Sequence, residues 1–433
     1  MILPRWIAPQ RDKRRSERVP EAPSRRGSGR AALALAGFGP VSGRPAGRET
    51  ESAAGARLVD WPLITVIAGL LLFGMVMVYS ASVPLAESPR YHVTPAYFLF
   101  RHVLSIGAAL LVALAAYRIP ASHWQRLAPL CFLASAVLLV VVLIPGVGKG
   151  ALGARRWVGY GGVHLQPSEI MKVACALYAA DFTVRKQDFM HDFRKGFAPM
   201  AGVMAIVGVL LLLQPDLGAF GVTVAISMGI LFLGGVNGRL FASIAGALVA
   251  TFGAVIWASP WRRARIFAYL DPWSQHNALG RGYQLTHSLI AFGRGEWFGV
   301  GLGASVEKLN YLPEAHTDFI LAVIGEELGL MGVLAVIVAF YWIVKRAFEI
   351  GRQAVAVERT YAGLVAQGVG IWIGLQAFIN MGVATGLLPT KGLTLPLMSY
   401  GGSAMMSSMI ALAILLRVDH ENRVLMHGGR VRG

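Results

Sequence analysis

Three stretches of the sequence collect side chains able to move protons or hold anions. The first, Tyr311-Leu-Pro-Glu-Ala-His-Thr-Asp-Phe319, places Glu314, His316 and Asp318 just ahead of a long apolar run. A carboxylate partly withdrawn from water has a raised pKa and becomes a better proton acceptor near neutrality. An N-cap formed by Thr317 or Asp318, favoured by the helix dipole, accounts for the same residues equally well. The second stretch, Gln166-Pro-Ser-Glu-Ile-Met-Lys172, opens another apolar run with Pro167 and sets Glu169 and Lys172 three apart on one helical face. Such charges inside a span are costly and face protein or water, so a self-neutralising local ion pair competes with a ligand-binding role. Just upstream, Arg155, Arg156 and Trp157 offer guanidinium groups that can grip phosphate or an aromatic anchor at a membrane surface.

The third stretch runs from Thr390 through Lys391 to Ser403 and combines a lone lysine with two prolines, hydroxyls and a glycine pair. Exposed backbone N–H groups and a cation in such a loop can receive an anion, whereas a plain re-entrant turn needs the Gly and Pro but not the lysine. Two weaker features remain. Asp216, in Gln214-Pro-Asp216, reads most simply as a helix cap. Glu326 and Glu327 lie about two turns beyond Asp318, where they either relay protons or satisfy a neighbouring arginine.

The elements that must position these residues are membrane spans. Of 433 residues, 55% are hydrophobic and 15% charged, and the mean hydropathy is +0.57, outside the range of soluble domains. From Trp61 onward, apolar runs of about 17 to 25 residues alternate with short polar connections, the length that crosses roughly 30 Å of hydrocarbon. Ten are expected, near 61–82, 99–117, 127–145, 168–184, 197–214, 217–236, 239–258, 318–344, 361–384 and 399–417, all helical because lipid cannot satisfy open backbone groups. The expected fold is therefore an all-α integral membrane protein of about ten transmembrane helices, with a membrane domain over 59–420 and a short cytoplasmic tail over 421–433.

Arg185, Lys186, Arg194, Lys195, Lys345, Arg346, Arg352 and Arg359 fall in loops on one side, with the basic stretch before the first span. Positive residues favour the cytoplasm, which puts both termini there and makes 259–317 a large periplasmic loop between helices 7 and 8. That loop holds Arg262, Arg263, Arg265, Arg281, Arg294 and Lys308, more positive charge than topology alone would choose. Its aromatic content, including Trp273, Tyr283 and Trp297, suits a segment in the headgroup layer with its apolar side in lipid. Residues 1–58, rich in Arg, Pro, Gly and Ser, are expected to form a disordered basic cytoplasmic tail rather than a cleaved leader.

The 40 Lys and Arg against 23 Asp and Glu do not indicate nucleic acid, because the surplus sits in that tail and beside apolar segments rather than on a basic face. Cys131 and Cys175 lie inside apolar runs, with neither disulfide nor metal spacing.

Taken together, Tyr79-Ser-Ala-Ser82, Gln166 to Glu169, Gln214 to Gly218, Gly282-Tyr-Gln284, Tyr311 to Phe319, Gly325-Glu-Glu-Leu-Gly329 and Lys391 to Ser403 resemble the SEDS family of shape, elongation, division and sporulation proteins, above all its cell-division branch. The resemblance covers about residues 60 to 423, and His287 departs from it where Gln is expected. It implies a multi-pass inner-membrane peptidoglycan glycosyltransferase at the division septum, polymerising lipid II, an undecaprenyl-pyrophosphate-linked disaccharide pentapeptide. Asp318 would be the catalytic residue, with Arg156, Glu169, Lys172 and Lys391 lining an outward cavity and Glu314, His316 and Ser399 added as substrate contacts. The implied partners are a class B penicillin-binding transpeptidase and a wider division complex. A divalent cation, Mg or Mn, would assist at the diphosphate, with no organic cofactor. A lipid II flippase and a non-catalytic division scaffold remain as alternative readings of ten spans with intramembrane charges.

Overall fold

A computed structural model describes residues 58–87, 93–151, 154–160, 163–190 and 192–430. The basic segment 1–57 lies outside the described residues, and with it the expectation of an unstructured tail. Each of the ten apolar runs coincides with a helix. They are α1 (Trp61–Glu87), α2 (Tyr97–Arg118), α3 (Ala121–Val141), α4 (Pro167–Arg185), α5 (Ala198–Leu213), α6 (Leu217–Leu233) and α7 (Gly238–Trp257), followed by α11, α12 and α13 below.

Among the described residues, eight helices are long and apolar enough to cross a membrane, with α5 counted from Phe193. Of the other two, α6 is apolar but shorter, at 17 residues, and α4 carries Glu169, Lys172, Asp181 and Arg185 within 19. The polarity of α4 follows from its place at the centre of the bundle, where Glu169 and Asp181 are each 4% exposed and Lys172 is fully buried. Starts are set locally: Asp60 accepts from Leu63 N–H at 3.2 Å to open α1, and Pro167 at the first position of α4 has no N–H to leave orphaned.

Three features depart from the expected outline. Between α3 and α4 the chain forms a three-stranded antiparallel sheet, β1 (Gly148–Ala151), β2 (Ala154–Tyr160) and β3 (Val163–Leu165), in that order. The alternation of side chains along β2, with Trp157 opposite Lys149 and Val158 opposite Leu165, is a period the helix-length window does not sample. The connection 259–317 is also not one surface strap. It folds into α8 (Pro260–Leu270), α9 (Gln275–Ala278) and α10 (Tyr283–Gly295), and α10 buries Leu285 and Ala291 in protein, with Ser288 donating to Ala384 O at 2.6 Å. Third, the last helix α13 (Gly402–Met426) runs past the expected end at 417, because Arg417–Glu421 and Arg423–Asp419 pairs one turn apart sustain it.

α11 (Ile320–Ala356) is one helix in outline but breaks at Gly329, whose φ of 65° and ψ of −162° are non-helical. The turn 296–301 supplies the missing backbone partners: Val300 N and Gly301 N donate to Glu326 O and Glu327 O, and Leu330 N donates to Glu296 O at 2.9 Å. Glycines at 295, 299, 325 and 329 permit this approach; a Cβ on Gly329 would lie 2.5 Å from Gly299 N. A broken helix at this depth is tolerable because protein satisfies the freed groups. α11 leads into α12 (Thr360–Ala384), whose Trp372 is fully buried in the core. At the end of the bundle where α1 begins, Arg346 bridges Asp60 and Asp419. Replacing Gly329 by Ala adds a side chain in the left-handed region against fixed backbone. We expect it to cost about 1–3 kcal/mol and to lower the melting temperature of the detergent-solubilised protein, measured by thermal scanning, whereas Gly253→Ala, inside α7 with open space around it, does not lower the melting temperature.

Candidate active site

At the end of the bundle opposite the Arg346 cluster, a cavity of about 1200 Å³ opens among the strand, loop and helix termini, larger than a typical small-ligand pocket. Asp318 stands on its wall, ahead of α11. The preceding turn is organised by the Glu314 carbonyl, which accepts from the N–H groups of Thr317, Asp318 and Phe319, and Glu314 itself takes φ 58°. Phe319, not Asp318 or Thr317, is the N-cap of α11, with no side-chain cap bond. The Asp318 carboxylate is therefore not spent on capping. It retains some accessible surface toward the cavity while protein encloses its other sides. Burial, then the nearby Glu314 charge, push it up to about 7 against the opposing pull of Arg156.

The loop between α12 and α13 packs directly on this carboxylate. A Cβ on Gly392 would meet Asp318 Oδ2 at 2.8 Å, so a larger residue there would displace the carboxylate from its present place. Lys391 lines the cavity beside Arg262 and Arg265 of α8. Burial first, then these two guanidinium groups, depress its ammonium to about 8. Arg156, on β2, also reaches the cavity, and two of its donors go to Gln214 O (3.1 Å) and Pro215 O (2.7 Å), which fixes the guanidinium at the rim. Asp216 caps α6 by accepting from Ala219 N–H at 3.0 Å while its other oxygen accepts from Ser168, and it lines the cavity as well.

Glu314 and Glu169 share the cavity wall, whereas the other expected contacts do not. Lys172 lies one turn deeper in α4, held by Glu169 at 2.7 Å, by Gln376 Oε1 at 2.7 Å and over the Trp372 ring at 5.4 Å. Its ammonium turns toward α12, where Gln376 accepts from it, rather than outward, so the local-pair reading describes it. Ser399 is 3% exposed and accepts from Leu395 N–H at 2.8 Å, an internal brace of the loop. His316 packs between Phe98 and Tyr400 behind the wall, and burial lowers its pKa. Glu326 and Glu327 relay nothing visible: Arg294 and Ser305 hold the first, Lys308 and Ser80 the second.

Sequence reasoning did not pick out Arg101, Arg262, Arg265 or Tyr400, all on the cavity wall. For the arginines of α8, the surplus positive charge of 259–317 was the available signal. Tyr400 lies inside the Thr390–Ser403 stretch already singled out, whereas Arg101, between Phe100 and His102 at the start of an apolar run, reads as a charge at a span end.

The arrangement is a proton acceptor poised near neutrality, sharing a large cavity at one end of an apolar bundle with Arg101, Arg156, Arg262, Arg265 and Lys391. Comparison with known proteins bears directly on what it serves. The family described as cell cycle protein, which takes in the FtsW, RodA and SpoVE proteins, matches residues 61–424. The chain belongs to this family. It is 64% identical over 373 residues to the probable peptidoglycan glycosyltransferase FtsW of Burkholderia thailandensis, covering 86% of this chain and 81% of that one. It is 48% identical over 370 residues to its counterpart of the same name in Nitrosomonas europaea, covering 86% and 95%. Among solved structures, a chain from work on the structural coordination of polymerization and crosslinking by a peptidoglycan synthase complex aligns with TM-score 0.68 and 27% identity, over 84% of this chain and 98% of that one. The rod shape determining protein RodA of Thermus thermophilus aligns with TM-score 0.60 and 28% identity over 84% and 97%. The protein is thus a multi-pass membrane protein of this family.

Lys391 offers a test of the cavity's field. Its amine should react with a small acylating reagent with a midpoint near pH 8, followed by mass spectrometry of the labelled peptide. Because Arg265 and Arg262 disfavour the charged form, Arg265→Ala should move the midpoint upward; an unmoved midpoint would show that the guanidinium does not act on Lys391.

Proposed function

We propose that this chain is a peptidoglycan glycosyltransferase that polymerises lipid II in the outer leaflet of a bacterial inner membrane, at the division septum. One observation carries the reading: Asp318 and the cations Arg156, Arg262, Arg265 and Lys391 face one cavity at the end of a bundle of membrane spans. A substrate with a polyprenyl tail, a diphosphate and sugars needs all three environments, hydrocarbon, positive charge and a base, within one site.

In this mechanism the 4-hydroxyl of an acceptor N-acetylglucosamine attacks C1 of a donor N-acetylmuramic acid. Its proton passes to the Asp318 carboxylate, the C1–oxygen bond to the diphosphate breaks, and undecaprenyl pyrophosphate leaves with the bonding electrons, inverting the anomeric centre. A base with a pKa near 7 suits this transfer at neutral pH. Arg156, Arg262, Arg265 and Lys391 face the charge that develops on the leaving diphosphate, where prearranged positive charge lowers the barrier. Among the described residues no three His, Cys, Asp or Glu side chains converge as a metal site. Mg is commonly held by one or two carboxylates together with substrate phosphates, a role that Asp318, Asp216 or Glu314 on the cavity wall would fill; no step here is routed through a divalent cation. A single-span class B penicillin-binding transpeptidase is the partner this reading assigns, and the family's peptidoglycan synthase neighbour supports it.

Purified protein given lipid II in detergent should make glycan chains with no second membrane compartment, which a flippase or a scaffold would not. Asp318→Asn should lower that rate by about 10²–10⁴-fold, and Lys391→Ala by about 100-fold, with both variants folded by size-exclusion chromatography. Wild-type rates from the Asp318 variant would remove it from catalysis.

The pH dependence has a definite sign. Asp318 must be ionised, which holds above about 7, and Lys391 must be charged, which holds below about 8. The rate should therefore be bell-shaped with a narrow summit between these values, and Lys391→Ala should abolish only the alkaline fall.

A further inference from the structure

Asn380 lies on α12, one turn beyond Gln376, and is 1% exposed. It does not line the cavity. Its Nδ2 donates to Asp318 O at 2.8 Å and to Leu393 O at 2.6 Å. An amide NH₂ has two hydrogens, and each is used: one on the main chain of the proposed base, the other on the main chain of the lysine-bearing loop. The reverse orientation of the amide would set Oδ1 against two carbonyl oxygens, so the bonding pattern fixes which atom is nitrogen. Oδ1 is then left buried with no partner among the described residues. Buried polar atoms are ordinarily satisfied, and an exception calls for a reason; here the side chain holds a place that suits its two donors and not its acceptor.

What those two donors join matters for the chemistry. Asp318 Oδ2 lies so near Gly392, the residue between Lys391 and Leu393, that a Cβ there would sit 2.8 Å from it and the carboxylate would have to shift. The carboxylate and the lysine loop are thus in direct contact, and among the described side chains Asn380 is the one hydrogen-bonded to the main chain of both segments. Gln376, by contrast, donates to Thr394 O at 3.0 Å and accepts from Lys172, so it holds the loop to the bundle but not to Asp318.

We infer that Asn380 is a positioning residue that clasps the Asp318 segment to the Lys391–Thr394 loop and thereby sets the base at its working distance from the cationic wall. The inference rests on the glycosyltransferase reading above and deepens it by one residue. It separates two functions of the cavity: holding the substrate, which the lining side chains do, and registering the base, which Asn380 does from behind.

The test uses the full chain in detergent with lipid II as the substrate. Asn380→Leu keeps roughly the same shape without a donor, and Asn380→Ala removes the side chain. Both should lower kcat by about 30-fold or more, since loss of registered geometry falls on the transition state, while KM for lipid II changes by less than about threefold. The acidic limb of the pH–rate profile should also shift downward in pH, as the loosened loop admits water to Asp318 and eases its ionisation. A residue that served stability alone would lower the melting temperature and the amount of active enzyme, and would leave the acidic limb in place. A folded Asn380→Leu protein with wild-type kcat, or with reduced kcat and an unmoved acidic limb, overturns the inference even though the wild type polymerises. If Asn380→Ala fails to melt cooperatively, the near-isosteric Leu variant decides. A wild-type chain that makes no glycan sinks the glycosyltransferase reading, and this inference with it.

Discussion

A charge at depth in a bilayer must find a partner or water, and the placement of every other part of this molecule answers to that requirement. A lone Lys or Arg at the centre of a span costs roughly 2.5–3.5 kcal/mol on insertion scales, and removing one partner of a buried pair costs about 3–5 kcal/mol. Lys172 meets the requirement by pairing with Glu169 and Gln376 inside the bundle, and Glu326 and Glu327 by capturing Arg294 and Lys308 from the connection above them. Around the cavity the rule is met differently. Among the described residues Arg262, Arg265 and Lys391 line the cavity without an ion pair to a carboxylate, and burial beside the two guanidinium groups depresses the ammonium of Lys391. Cations held in that condition are fitted to receive an anion that arrives and leaves.

The spans were legible because their signal is local: about twenty apolar residues in a row suffice to announce each one. The acidic motif and the lysine loop were legible for a related reason, since polar residues at the edges of apolar runs stand out. What the sequence hid is long-range. Nothing in the spacing of Glu169 and Lys172 says whether the ammonium points outward or toward α12, and it points toward α12 because Gln376, 204 residues on, accepts from it. Ser399 looked like a contact and is a brace, because its partner Leu395 N–H lies within the same loop. The sheet over 148–165 was masked by its glycines and by a window tuned to helices. The loop 259–317 carried a true signal in its positive charge, but only folding separates the part that neutralises Glu326 and Glu327 from the part that faces the cavity.

Family membership and site geometry support each other without duplicating one another. The match over 61–424 fixes the lineage, and the relatives' names suggest a chemistry. The coordinates contribute the reason such chemistry suits these residues: a carboxylate raised to about 7 by enclosure, in a cavity whose rim is tied down by hydrogen bonds from Arg156. Neither source alone would separate residues that touch the cavity from those that shape it.

The break at Gly329 has a mechanical meaning. The two turns from Ile320 to Leu328 form a short rigid rod, anchored at its inner end to the run 296–301 and carrying Asp318 just beyond its outer end. Trp297 and Phe298, 64% and 81% exposed, sit at the anchored end. One short helix therefore has two exposed rings at one end and the carboxylate at the other, joined by backbone hydrogen bonds rather than by side-chain contacts alone.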